Sequence, residues 1–235
     1  MQERYLGDAH DFLKYALIRF FSDYTGLAFG LNWYLTRPGN VDANFNNDGE
    51  KRHHMNDQTW QRIDADLIEM LQPFQESQNR TLARFMDAGI LPDNVRYHCD
   101  ELTAGNRTAW IINSADALRG SQILFLDPDN GLEVQSMTRR TAPKYARYED
   151  VAWYLDQGHS VICIQFARQV SPAKRAAEVS EKLRTRTRRG NLLPVLRGRS
   201  VPNILLFTMA QDEHKEKLID AIHDFAAKSD KIEVM

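Results

Sequence analysis

Cysteine is nearly missing from this chain of 235 residues; there are two, Cys99 and Cys163. Two distant thiols exclude a disulfide framework and a zinc knuckle, and they suit a protein of the cytoplasm with free thiols. Long uncharged apolar runs are missing too. No stretch approaches the ~20 residues of a membrane-spanning helix, and "MQERYLGDAHDFLKY" lacks the apolar centre of a signal peptide. There is no GxxxxGK[ST], no GxGxxG after the first apolar run and no GxSxG. These absences disfavour a P-loop nucleotide hydrolase, a nicotinamide dehydrogenase and a serine hydrolase of the nucleophile-elbow type. Internal repeats and low-complexity tracts are absent as well, so a single domain over 1–235 is the simplest division.

Hydrophobic residues make up 43% and charged residues 26%, enough for a soluble globule with a sizeable core. The net charge of −2 hides an asymmetry. Between Arg168 and Arg199 stand ten Lys/Arg and two Glu, a local +8 against −10 for the rest. Such a patch points to an anionic partner, nucleic acid first. Arg184, Arg186, Arg188 and Arg189 lie at its centre, on a helix predicted over "SPAKRAAEVSEKLRTRTRRG", with Arg184 and Arg188 on one face and Arg186 and Arg189 on another. The alternative is a solvated face or a subunit contact.

Apolar runs alternate with helical patterns. "GLAFGLNWYLT", "NVRYHCDEL", "SQILFLD", "HSVICIQF" and "VPNILLFTMA" read as strands. Helices are predicted from Asp8 or Asp11 through Phe20 and over "DQTWQRIDADLIEMLQPF", "SQNRTLARFMDAGIL", "RTAWIINSADALRG", "RYEDVAWYLDQG" and "DEHKEKLIDAIHDFAAKS". Runs such as ILFL and VICI are apolar on both faces, as in strands covered on both sides. The expectation is an α/β three-layer sandwich on a mostly parallel, Rossmann-like sheet.

In such sheets ligands bind beyond the carboxyl ends of the strands. The cluster Asp127-Pro128-Asp129-Asn130-Gly131 falls there, after the most apolar strand. As a plain turn it needs Gly131 for a positive φ. As a site, Asp127 and Asp129 with Glu133 and Asp48 could share Mg²⁺ or Mn²⁺, with His53 or His54 moving protons. Alternatively, Asp127-Pro128 holds a flat amino-bearing group, since Pro128 has no N–H and leaves a neighbouring carbonyl free. The polar loop "NFNNDGEKRHHM" is a second candidate, and Gln165 to Gln169 after SVICI is a third strand-end cluster expected to converge on the same rim. Near the amino end, Asp8, His10, Asp11 and Lys14 stand close together; Asp11 and Lys14 fit a surface i,i+3 pair, and His10 is a minor candidate.

"DFLKYALI" at Asp11–Ile18, "FLDPDNG" and the following "SVICIQF" resemble, in order, motifs of the Rossmann-like methyltransferases that use S-adenosylmethionine. The ribosomal-RNA adenine-N6 methyltransferases of the J type and the three-cysteine-motif partner proteins are the nearest in pattern. The resemblance implies a nucleic-acid methyltransferase with Asp127 and Pro128 at the reaction centre, Asp129 beside them, and S-adenosylmethionine near Lys14, Asn46, Asn47 and Asp48. The chain departs from that pattern in two places. "NWYLTRPGNVDANFNNDG" replaces a glycine-rich cofactor loop, and Asp129-Asn130 stands where a second proline and an aromatic belong. A metal-dependent nuclease or phosphohydrolase and a non-catalytic nucleic-acid-binding or defence-associated protein are the other two readings.

Overall fold

Eight strands join one sheet in the computed structural model, which describes residues 1–42, 50–200 and 202–235. They are β1 (Phe29–Trp33), β2 (Arg96–His98), β3 (Ile123–Asp127), β4 (Ser160–Ala167), β5 (Asn191–Leu192), β6 (Leu196–Gly198), β7 (Asn203–Ala210) and β8 (Ile232–Val234). The sheet runs β2-β1-β3-β4-β7-β6-β8, with β5 also on β7. Five helices of nine residues or more flank it among the described residues: α1 (Ala9–Thr25), α2 (Arg107–Ala117), α3 (Tyr148–Asp156), α4 (Pro172–Arg186) and α5 (Lys215–Ala227).

The α/β, helix-flanked architecture is as expected; the mostly parallel sheet is not. The pairs β2–β1, β1–β3 and β3–β4 are parallel. Then β7 reverses against β4 over seven residue pairs, and β5, β6 and β8 join antiparallel. The sheet is therefore mixed. An apolar strand covered on both faces has the same composition in either direction, so its sequence carries no sign of polarity.

Alternation along β3 divides the interior. Ile123 and Phe125 face a core shared with Phe12 of α1 and Leu218 and Ile222 of α5. Leu124 and Leu126 face the opposite core, with Trp110 of α2, Val151 of α3 and Val179 and Leu183 of α4. Each such side chain, buried fully, contributes roughly 1.5–3 kcal/mol, so both faces of β3 are held from above and below.

Three predicted helices are shorter than their patterns, and over "SQNRTLARFMDAGIL" only Leu82–Asp87 is α-helical. Over "DQTWQRIDADLIEMLQPF" the chain breaks between Gln58–Gln61 and Ala65–Leu71, because the Asp64 carboxylate caps the second piece by accepting from Leu67 N. After Arg186 the basic helix ends with Thr187, whose N–H and hydroxyl both bond the Leu183 carbonyl. Arg188 and Arg189 are therefore off the helix, and the two-face arrangement of the four arginines does not form. The first strand ends at Trp33, short of Thr36, although Leu35 still bridges to Glu101. Among the described residues no helix is long and apolar enough to cross a membrane.

Candidate functional site

The chain moves from β1 outward to β2, then returns to place β3 on the other side of β1. Successive connections leave β1 in opposite directions, and the crevice at such a reversal is where open α/β sheets accept ligands. Asp127, the last residue of β3, stands at that point in register with Trp33.

The turn after β3 is held from several sides. Tyr34 N donates to the Asp127 carbonyl at 3.3 Å, so this carbonyl is engaged rather than left free beside Pro128. Asn130 N donates to Lys144 O at 2.8 Å, and Leu132 N to Ile164 O at 3.1 Å. Gly131 has φ 87°, as a turn there requires, and a Cβ on it would stand 2.5 Å from Gln165 Oε1 and 2.9 Å from Ile164 O. Only glycine combines that conformation with so close an approach to β4.

Helix α1 delivers the facing groups. Asp8 is its cap, accepting from His10 N and Asp11 N. One turn on, Lys14 Nζ lies 2.5 Å from Asp11 Oδ1 and 2.7 Å from Asp127 Oδ1. All three side chains are buried. The i,i+3 pair expected on the surface is thus an interior triad that includes the strand end. Asp11 Oδ2 accepts from Gly7 N at 3.0 Å. Among the described residues Asp127 Oδ2 has no hydrogen-bond partner, although Asp127 is only 1% exposed.

Burial pushes the Asp11 carboxyl up to about 6, against the pull of Lys14. Burial works against the Lys14 ammonium too, but Asp11 and Asp127 outweigh it and raise its pKa above the ordinary lysine value. Asp8 is buried as well, yet its bonds to His10 and the Asp11 N–H hold it below the usual carboxylate range.

These groups line a cleft of ≈ 690 Å³ with Pro128, Asp129, Asn130 and Lys144 on one side and Phe166, Arg168 and Gln169 on another. His10 packs edge-on against Phe166, ring centroids 5.1 Å apart. His10 Nε2 lies 2.9 Å from Pro202 O; a carbonyl only accepts, so Nε2 carries the hydrogen and Nδ1 is bare in the neutral ring. That Nδ1 is 3.7 Å from Asp8 Oδ2. Gln169, with φ 58°, holds a left-handed conformation on the rim, uncommon for a residue with a Cβ.

Asp129 belongs to a neighbouring network. Lys144 Nζ bridges Asp129 (2.9 Å) and Asp42 (2.7 Å), and Gln2 donates to both carboxylates. Glu133 accepts from Tyr148 N at the start of α3. Asp127, Asp129 and Glu133, three of the four carboxylates weighed as a metal set, therefore diverge, to Lys14, to Lys144 and to a helix end. Among the described residues no three or more His, Cys, Asp and Glu side chains gather as a metal would need. Asn46, Asn47 and Asp48 lie outside the described residues. His54 is fully buried beside Phe12 and Trp60 with neither ring nitrogen bonded, and His53 is exposed on the edge of Trp60.

Arg184, Arg186, Arg188 and Arg189 are exposed, and none lines the cleft. Arg189 pairs with Asp156 at the far end of α3, toward the rim where β4 begins. The eight residues of β4 separate that rim from the cleft by roughly 23 Å.

Beyond β1, where a glycine-rich loop belongs in the resembled family, the space is filled. Tyr34 packs on Trp110 and donates to Asp150. A buried chain of hydrogen bonds runs from His98 through Asn32 and Tyr154 to Ser114. Sequence reasoning missed Lys144 as a cleft residue, whereas Phe166 and Arg168 fall within the Gln165 to Gln169 cluster expected at this rim. Lys144 had no local signal, since it becomes part of the site only because its loop folds back on Asn130. Arg168 and Phe166 were signalled by their place at the end of an apolar strand. No family model, curated protein or solved structure matches the chain.

Proposed function

We propose that this chain is a methyltransferase-like enzyme acting on an exocyclic amino group of a base in nucleic acid, at Asp127 and Pro128. One observation carries the reading: a buried carboxylate oxygen, Asp127 Oδ2, without a partner among the described residues, at the connection reversal of the sheet. Leaving a buried acceptor unpaired costs about 1–3 kcal/mol, and more for a charged group. A ligand N–H donor removes that cost on binding. The strand order around β1 and the motif order in the sequence support the Rossmann-like form of this reading; the antiparallel half of the sheet is compatible with either.

The lining fits S-adenosylmethionine in charge. Asp8, Asp11, Asp127 and Asp129 suit its sulfonium and ammonium groups, and Lys14, Lys144 and Arg168 suit its carboxylate. When bound, it supplies a methyl group on positively charged sulfur. Asp127 Oδ2 accepts one amino N–H of the base and favours a pyramidal nitrogen whose lone pair is drawn out of conjugation with the ring. Lys14 holds Asp127 through Oδ1 and keeps one of its three N–H groups for a ligand. Phe166 offers a ring face to the base. The proton lost from nitrogen goes to the bare Nδ1 of His10, where Asp8 stabilises the imidazolium.

Transfer of labelled methyl groups from S-adenosylmethionine to single-stranded oligonucleotides tests this. The wild type labels an oligonucleotide containing A or C, and Asp127→Asn, which keeps the shape but turns an N–H toward the donor, loses at least about 100-fold. Absence of labelling together with absence of S-adenosylmethionine binding by calorimetry at millimolar ligand refutes the reading.

A further inference from the structure

A second cavity, of ≈ 590 Å³, opens from the first and shares Asn130, Phe166 and Arg168 with it. Its outer wall is α4, which contributes Arg175, Glu178 and Lys182. Arg175 and Lys182 are seven residues apart, two helical turns, and so stand on one face. Arg168, just before the helix, extends the row toward the cleft.

The charges in this row are not spent on one another. Among the described residues Glu178 is the only acid lining the cavity, and it pairs with Arg175 at 3.0 Å. Arg175 Nε is buried and has no hydrogen-bond partner among the described residues. Arg168 lies over the Phe166 ring at 5.1 Å and Lys182 over the Tyr148 ring at 5.9 Å; neither has an acidic partner among the described residues. Two turns of α-helix span about 10.5 Å, which matches roughly two phosphates of an extended strand. Tyr145 and Phe166 place aromatic rings beside the cations, the combination that single-stranded nucleic acid takes on a binding groove. A duplex fits poorly, because a base reaching Asp127 must leave its stack.

We infer that a single strand of nucleic acid runs from the Asp127 cleft along α4, its phosphates held by Arg168, Arg175 and Lys182. The more conspicuous cluster of Arg184, Arg188 and Arg189 is then not the binding surface. This inference rests on the proposed function only in directing the base into the cleft.

The test is binding of a fluorescent 12-nucleotide single strand at several salt concentrations. Arg168→Gln/Arg175→Gln/Lys182→Gln is expected to bind at least 30-fold more weakly. Its slope of log affinity against log salt should be shallower by about 2, near 0.7 for each phosphate no longer neutralised. Arg184→Gln/Arg188→Gln/Arg189→Gln should bind within threefold of wild type. Arg168→Gln/Lys182→Gln, which leaves the Arg175–Glu178 pair intact, guards against a folding defect in the triple variant and should show about two-thirds of the slope change. The path is overturned if the second cluster carries the salt slope, or if the wild type does not bind the strand. If the strand binds as expected while S-adenosylmethionine does not, the path stands and the methyltransferase reading fails.

Discussion

Removing the Lys14 ammonium tests the central arrangement most directly. Lys14→Met keeps the length and the apolar stem but leaves Asp11 and Asp127 buried without the cation that lies 2.5 and 2.7 Å from them. Breaking a buried ion pair from one side costs about 3–5 kcal/mol. In urea, with an m-value near 3 kcal/mol/M, that lowers the midpoint by roughly 1–1.7 M without changing m. The pH dependence is the sharper fingerprint. Asp11 is already pushed up to about 6 with Lys14 present; without it, burial and Asp127 drive the carboxyl higher. A carboxyl raised above its unfolded value binds more protons in the folded state, so the variant loses stability as pH rises through that window. The deficit against wild type should therefore be largest at pH 7.5 and should shrink by pH 5. The variant Asp11→Asn/Lys14→Met/Asp127→Asn, with no ion left in the triad, should recover most of the lost stability and remain inactive. A Lys14→Met deficit under about 1 kcal/mol, or one equal at both pH values, refutes the buried triad.

His54 supplies a test at the acid end: burial pushes its imidazole down to about 4, so the unfolded chain takes a proton from about pH 6.5 downward that the folded chain refuses. Stability from this group is complete above that pH and falls as pH drops toward 4, by up to about 3 kcal/mol. His54→Leu should flatten that limb in urea unfolding at pH 4.5 and 7, and parallel curves for the two proteins would rule the account out. Gly131→Ala places a Cβ against Ile164 O at a φ of 87°; it should cost roughly 2 kcal/mol or more and lower Tm by about 4–8 °C, and a melting temperature within a degree of wild type would show that the turn yields freely.

Much of the layer arrangement was legible because periodicity and stop signals agree. Gly26, Gly120 and Gly158 follow helical patterns and all take positive φ. The apolar runs ILFL and VICI are the central strands. What escaped was direction and partnership. The polarity of β7 is set by its connections, and β5, β6 and β8 are two or three residues long, too short for any alternation to register. Asp127 was legible as a strand end. That Lys14 would meet it could not be read, because the two are 113 positions apart and nothing in "DFLKY" shows which face of α1 meets the sheet. The basic run shows a similar limit: its densest part lies where the helix ends, while Arg175 and Lys182, which line the second cavity, are spread seven residues apart.

The reversal of β7 has a consequence for how the protein matures. A parallel strand would have brought its carboxyl end to the cleft; β7 brings its beginning, with Asn203 and the Pro202 carbonyl that fixes His10 from 192 positions away. The pocket is thus closed by a later segment of the chain against an earlier one. A nascent or truncated chain lacking that segment has α1, β1 and β3 but no completed cleft, and long-range closures of this kind form late. The cleft around Asp127 is therefore complete only once β7 has docked against β4.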